Sequence, residues 1–176
     1  MNAALQAVQP GNYYALFGLR PAFALDPADL DRSFRKLQRE VHPDQFTDKP
    51  AAERRQALEW ASLANEAYRT LKSPVERARH LMALNAVDLE RAAPKLSPAF
   101  LMEQMERREA LEAALGDADA LEKTETALDA TMDQLHGRLI VLLDQQRNFA
   151  GACEIVLRLQ FYERLRAELD RAFELV

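Results

Sequence analysis

The sequence predicts an all-α protein. Hydrophobic residues make up 48% of the 176 residues, charged residues 29%, and glycine occurs only five times. Residues that favour helices, chiefly alanine, leucine, glutamate and arginine, dominate most of the chain. Sustained alternation of apolar and polar residues is nearly absent, as are hairpin dipeptides between β-branched runs. The expected architecture is an N-terminal helical hairpin followed by a C-terminal three-helix bundle.

The first helices are marked by signals at their ends. Residues 13–17 predict a short helix that Gly18 ends. Asp26 is a favourable N-cap and Pro27 suits the first helical position, so a second helix is expected from about Pro27 to Val41. Apolar residues spaced by three and four positions predict its buried face: Leu30, Phe34, Leu37 and Val41. Its cations fall largely off that face: Arg32, Arg35, Lys36 and Arg39.

A loop is expected to follow this helix. Pro43 cannot continue a helix and moves His42 out of the helical region, so the segment HPDQFTDKP predicts a loop. The next helix is expected over about residues 51–71, with Leu58 among its apolar face. Residues 1–84 therefore predict two long antiparallel helices and a short connecting helix, which begins at the capping pattern of Ser73 and Glu76.

The second half predicts a separate bundle. Residues 85–97 contain two prolines and are expected to be a linker. The bundle, residues 98–176, should begin with a helix that ends at Gly116 and buries Leu111 and Leu115. Two further helical segments are expected, over about residues 118–146 and 151–173, with short connections.

Charge and cysteine content exclude several classes of function. Residues 1–72 carry ten Lys and Arg against nine Asp and Glu, whereas residues 73–176 carry thirteen against nineteen. An acidic half argues against a nucleic-acid partner. Cys153 is the single cysteine, so it predicts a buried thiol in a reducing compartment. The first dozen residues do not resemble a signal peptide and no long apolar run follows, so we expect a cytoplasmic protein that is not bound to a membrane.

His42 next to Asp44 is compatible with an acid/base pair, a fragment of a metal site or a recognition tip. An acid/base pair would need a nucleophile within reach, and a metal site would need three or four ligands. The sequence offers no obvious source of either, since His80 and His136 lie on other predicted helices. We therefore predict no catalytic residue, no metal ligand and no cofactor. On the tripeptide alone, a plain polar turn between two helices stays open.

The tripeptide lies within FRKLQREVHPDQF, and the next predicted helix contains NEAYRTLKSP. Over about seventy residues, this context has a resemblance to the J-domain of DnaJ-type co-chaperones. It implies that His42, Pro43 and Asp44 dock on a partner ATPase and stimulate ATP hydrolysis. Three cations would add electrostatic attraction: Arg35, Lys36 and Arg39. Many members have an aromatic residue and a lysine where Val41 and Gln45 stand, which affects contacts beside the tripeptide.

Four specific segments are distributed over nearly the whole chain: YYALFGL, VERARHLMAL, FLMEQMERREALE and LRLQFYERLR. Their resemblance is to the HscB family, the J-type co-chaperones of bacterial iron–sulfur cluster biogenesis. It implies an L-shaped two-domain arrangement, whose bundle holds an IscU-type scaffold and delivers it to an HscA-type chaperone of the Hsp70 class. The residues that would bind the scaffold are Leu101, Met102, Met105, Glu106, Glu109 and Phe161. A further acidic position of the family is Ala113 here.

Several alternatives stay open at this point. Periodicity alone does not separate an interface from a bundle core for the apolar residues of the first bundle helix. The chain could serve a different client as a J-protein, act as a hydrolase through His42 and Asp44, or be a structural or oligomerisation module. We expect a monomeric adaptor with two binding sites and no enzymatic activity, in which the bundle buries Leu135, Leu139, Leu142 and Leu143.

Overall fold

The computed structural model describes residues 11–92 and 94–175, apart from the side chain of Pro43. Within these ranges every regular element is helical, so the all-α prediction is confirmed. The chain divides into two compact units between Asn85 and Ala86, at the start of the segment expected to be a linker. None of the helices in the described ranges is both long and apolar enough to cross a membrane.

The helices of the first unit are α1 (Tyr13–Leu16), α2 (Pro27–Val41), a short 3₁₀ helix (Pro43–Phe46), α3 (Ala51–Lys72) and α4 (Pro74–Leu84). The expected caps are present at α2 and α4. Oδ1 of Asp26 accepts the N–H of Ala28 at 2.8 Å, and Oγ of Ser73 accepts the N–H of Glu76 at 3.3 Å. The 3₁₀ helix lies in the segment that was predicted to be a loop. Its single turn of i to i+3 hydrogen bonds is short enough to fit between α2 and α3.

Aromatic stacking joins α2 to α3. The rings of Phe34 and Tyr68 stack with their centroids 4.1 Å apart, and the Tyr68 hydroxyl donates to Oδ1 of Asp31 at 2.8 Å. The predicted burial of Leu58 is wrong, since 56% of this residue is exposed. The neighbouring Ala57 is buried in its place, because successive residues of a helix point about 100° apart.

A histidine anchors the start of the described chain. The N–H of Tyr13 donates to Nε2 of His80 at 3.2 Å, and the two rings stack at 4.4 Å. The Tyr13 hydroxyl donates to Oε1 of Glu66 at 2.7 Å. Through these contacts α1 is attached to both α3 and α4.

The helices of the second unit are α5 (Leu89–Ala92), α6 (Pro98–Ala114), α7 (Ala118–Leu139), a π-helical turn (Ile140–Gln145) and α8 (Phe149–Phe173). The short α5 lies inside the expected linker, and its Leu89 is buried. The π-helical turn was not predicted; it continues α7 with a wider turn and keeps Leu143 buried, while Leu142 is half-buried.

The end of α6 corrects one predicted core residue. Leu111 is buried as expected, but Leu115 is 56% exposed. The helix ends at Ala114, and Leu115 has an extended backbone that takes its side chain off the buried face of α6. Gly116 then reverses the chain with a φ of +83°.

Polar contacts also join α7 to α8. The Arg166 guanidinium bonds to Glu125 at 2.7 Å and to Asp129, both on α7, and to Asp170 on its own helix at 3.0 Å. Cys153 is buried as predicted, and burial raises the pKa of its thiol.

Candidate protein-binding sites

The predicted chaperone-binding tripeptide lies at the turn between α2 and α3. His42 leaves the helical region with φ −60° and ψ 128°, as the following proline requires, and the 3₁₀ helix begins at Pro43. The side chains of His42 and Asp44 are 57% and 85% exposed. The fold therefore presents an imidazole and a carboxylate together at an exposed tip.

Hydrogen bonds within the turn hold this tip. Nδ1 of His42 accepts the N–H of Asp44 at 3.3 Å and caps the 3₁₀ helix. The N–H of Gln45 donates to the His42 carbonyl at 3.0 Å, and the Thr47 hydroxyl donates to the Asp44 carbonyl at 3.1 Å. Nδ1 of His42 also lies 3.5 Å from Oδ2 of Asp44.

An open hollow of about 780 Å³ adjoins the tip. Four of the predicted chaperone-binding residues line it: Arg35, Arg39, His42 and Asp44. Lys36 is exposed but lies outside the hollow, on a neighbouring face of α2. Sequence reasoning did not assign Arg32, Gln38 and Gln45 to the site, although the spacing of Arg32 from Arg35 places both on one helix face.

The predicted scaffold-binding residues of α6 lie on the side of the helix that faces water. Leu101, Met102 and Met105 are 48%, 62% and 65% exposed, and we refer to these three residues as the α6 patch. They do not fill the bundle core, which contradicts the alternative that periodicity left open. Large apolar side chains that cluster at the surface indicate a binding site more often than isolated ones do.

Phe161 belongs to a different helix from the α6 patch. It lies on α8, half-buried, and packs edge-on against Phe100 of α6 with ring centroids 5.9 Å apart and planes at 86°. Phe100 is buried and directly precedes Leu101 in the chain. The structure thus joins Phe161 to the helix that carries the patch.

The border of the patch carries both signs of charge. Glu106 and Glu109, both predicted to bind the scaffold, are exposed, and so is Ala113. Arg108 on the same helix pairs with Glu168 of α8 at 3.4 Å, so its charge is partly neutralised. The rim therefore stays predominantly acidic near the patch.

Sequence reasoning missed a polar network beneath the patch. Oε1 of Glu103 accepts the Tyr162 hydroxyl at 2.6 Å and the Nε and Nη2 hydrogens of Arg107 at 3.3 Å. Nη2 of Arg107 also donates to the Thr131 hydroxyl at 3.4 Å. The i,i+4 spacing of Glu103 and Arg107 was a usable signal, whereas the bond to Tyr162 joins residues 59 positions apart.

The described part of the chain contains no group of three or more His, Cys, Asp or Glu side chains arranged to hold a metal ion. His80 is paired with Tyr13, and burial lowers its pKa. The exposed features described above are suited to binding other proteins.

Comparisons with known proteins agree with this arrangement. The profile of the HSCB C-terminal oligomerisation domain family matches residues 96–170. The chain is 40% identical over 166 residues to the co-chaperone protein HscB homolog of Azoarcus sp., covering 93% of this chain and 94% of the relative. It is 41% identical over 171 residues to the corresponding protein of Paraburkholderia phymatum, with coverage of 93% and 94%.

Two solved structures share the fold over most of their length. Chaperone HscB from Vibrio cholerae superposes with a TM-score of 0.83 at 36% identity, covering 93% of this chain and 98% of that chain. Human co-chaperone protein HscB superposes with a TM-score of 0.84 at 28% identity, covering 95% and 85%. Since similarity in sequence and in fold extends over both units, the chain belongs to the HscB family of co-chaperones.

Proposed function

We propose that the protein is a J-type co-chaperone of iron–sulfur cluster assembly. It binds an IscU-type scaffold protein, delivers it to an HscA-type chaperone of the Hsp70 class in the cytoplasm, and stimulates the ATPase activity of that chaperone. The observation that carries the proposal is that one chain of the HscB family combines an exposed His42–Asp44 tip with an exposed apolar patch on α6.

The tip is suited to engaging the chaperone. Asp44 extends its carboxylate into water from a turn that its own hydrogen bonds already hold, so little conformational entropy is lost on binding. Arg35 and Arg39 line the adjacent hollow and would attract an acidic surface of the ATPase. Lys36 would add to this attraction from the neighbouring face, and salt should weaken the effect of all three cations.

The α6 patch is suited to the scaffold. Two of its three side chains are methionines, whose flexible thioethers adapt to the shape of a partner. Phe161 adds an aromatic ring, and Glu106 and Glu109 would favour basic groups at the edge of the contact. A scaffold surface with apolar and basic residues together is the partner that this chemistry fits.

The two sites lie in separate compact units of one chain, which supports an adaptor with two binding sites. Such an adaptor raises the local concentration of the scaffold at the chaperone without any covalent chemistry of its own. We also propose that it acts as a monomer. Three leucines of the apolar stripe are buried within the bundle and so do not offer a surface for self-association: Leu135, Leu139 and Leu143.

The chaperone arm is tested by ATPase assays with a purified HscA-type chaperone. The parent protein should stimulate hydrolysis, and Asp44→Asn, which keeps the size of the side chain but removes its charge, should abolish most of the stimulation. Asp48→Asn is the matched control, because Asp48 is also an exposed residue of the connection between α2 and α3. Equal activity of the two variants would contradict the assigned role of the tip.

The scaffold arm is tested by calorimetry with a purified IscU-type scaffold. Saturable binding by the parent and by Asp44→Asn alike is expected, since the tip and the patch belong to different units. A parent protein that stimulated the chaperone without binding the scaffold would be a J-type co-chaperone of a different client. A parent protein that did neither would refute the proposal as a whole.

A further inference from the structure

Helix α6 carries large apolar residues on two opposite sides. Phe100 and Leu111 are buried at 2% and 5% exposure, whereas the three residues of the α6 patch are about half exposed or more. Burial of apolar surface is non-directional, so it does not by itself decide which of the two apolar sides of a helix faces the bundle. Some other interaction has to specify the rotation of α6 about its axis.

The network centred on Glu103 has the required geometry. Glu103 lies between Met102 and Met105 in sequence, but its side chain is half-buried and accepts the Tyr162 hydroxyl of α8 at 2.6 Å. Arg107, one turn later, bonds to the same carboxylate and to Thr131 of α7. One carboxylate of α6 is thereby linked to both of the other long helices of the bundle.

The strength and direction of this link follow from its surroundings. Tyr162 is only 2% exposed, and Arg107 lies over its ring at 5.4 Å. Burial and the bond to Glu103 raise the pKa of Tyr162 to about 12, so the phenol keeps its proton and donates this bond at neutral pH. Hydrogen bonds to an ionised acceptor are short and directional, and a half-buried network that joins several helices favours one arrangement over its competitors.

We propose that Glu103 and Tyr162 are positioning residues for scaffold binding. Their bond, supported by Arg107, fixes the rotation of α6 so that the α6 patch faces outward beside Phe161. This inference rests on the proposed function, since it concerns the same scaffold surface. Neither residue needs to touch the scaffold.

The test compares two pairs of variants by calorimetry with a purified IscU-type scaffold. Tyr162→Phe keeps the ring and removes the donor, so we expect the affinity for the scaffold to fall by about fivefold or more. A fivefold loss corresponds to a protein in which α6 has the outward-facing patch in about one molecule of five. Glu103→Gln keeps an oxygen that can accept the hydroxyl, and its affinity should stay within about twofold of the parent. Glu103→Leu removes the acceptor and should lose affinity as Tyr162→Phe does.

Arg166→Gln is the matched control for general loosening of the bundle. Arg166 also joins two bundle helices through carboxylates, Glu125 and Asp129, but makes none of its ion pairs with α6. This variant should bind the scaffold like the parent, and circular dichroism should show that every variant is folded. Selective ¹³C labelling of methionine methyl groups adds a readout that stability alone would not change. The Met102 and Met105 signals should shift or broaden in Tyr162→Phe and not in Arg166→Gln.

The outcomes separate this inference from the proposed function. If the parent does not bind the scaffold, both are refuted. If the parent binds and Tyr162→Phe binds equally well, or Arg166→Gln loses as much affinity as Tyr162→Phe, the positioning role is refuted while scaffold binding stands. Loss of affinity in Tyr162→Phe and Glu103→Leu, with retention in Glu103→Gln and Arg166→Gln, would support it.

Discussion

Two leucines of α6 allow a matched test that separates residues of the bundle core from residues of the proposed scaffold-binding surface. Leu101 and Leu111 belong to the same helix and are the same residue type, but they are 48% and 5% exposed. We predict that Leu111→Ala lowers the stability of the bundle strongly and leaves scaffold affinity nearly unchanged, whereas Leu101→Ala weakens scaffold binding and lowers stability much less.

The expected magnitudes follow from burial. Truncation of a buried leucine to alanine costs about 2–5 kcal/mol, because the lost transfer energy is increased by the cavity left behind. Leu111 should fall in this range, at about 3 kcal/mol. The three carbons removed at Leu101 are only about half buried and border on water, so no closed cavity forms and about 1 kcal/mol is expected. In binding, Leu101→Ala should lose about tenfold or more in affinity, the effect of a residue central to an interface.

The assay combines urea denaturation followed by circular dichroism with calorimetry against a purified IscU-type scaffold. Trp60 is the single tryptophan and lies in the first unit, so its fluorescence transition should stay unchanged in both variants and serves as an internal reference. Equal loss of stability in the two variants would show that Leu101 is buried in solution. Full scaffold affinity in a folded Leu101→Ala protein would remove the α6 patch from the interface.

Three further predictions concern backbone, pH and salt. A Cβ added at Gly116 or Gly137 would meet no neighbouring side chain within 4 Å, so the backbone decides the effect of each substitution. Gly116 has a φ of +83°, so Gly116→Ala should destabilise the bundle by about 1–2 kcal/mol in urea denaturation. Gly137 lies within α7, so Gly137→Ala should stabilise the bundle by about 0.5–1 kcal/mol. Burial lowers the pKa of His80 below its ordinary value of 6.5, so the unfolded chain binds the proton more readily and the first unit should lose stability as the pH falls through about 6.5. His80→Gln should flatten this dependence when Trp60 fluorescence is followed in urea; an unchanged slope would rule out His80 as its source. Arg35→Gln with Arg39→Gln should weaken the dependence of chaperone stimulation on salt, and a parent stimulation that is insensitive to salt would contradict the electrostatic role.

The helix ends were predictable from sequence because their signals are local. Asp26 and Ser73 cap helices by accepting N–H groups two or three residues later, and Gly116 ends α6 through its own backbone conformation. The exposure of His42 and Asp44 was predictable for the same reason, since a proline between two amphipathic helices leaves a turn at the tip of a hairpin.

The faces of the helices were less predictable. Leu58 and Leu115 satisfy a helical spacing but are exposed, because neighbouring residues of α3 and the turn after α6 determine what reaches the core. The π-helical turn after α7 has no local signal that was recognised in the sequence.

The sequence by itself determined the helical class of this protein, the ends of most of its helices, and the motifs that place it in the HscB family, since each of these depends on residues close together in the chain. Only the tertiary structure decided which apolar side of α6 faces water. That choice depends on Tyr162, which lies 59 positions from Glu103 and is brought to it only when α6 and α8 pack together. Apolar spacing describes both sides of α6 equally well, whereas a directional bond between distant residues distinguishes them.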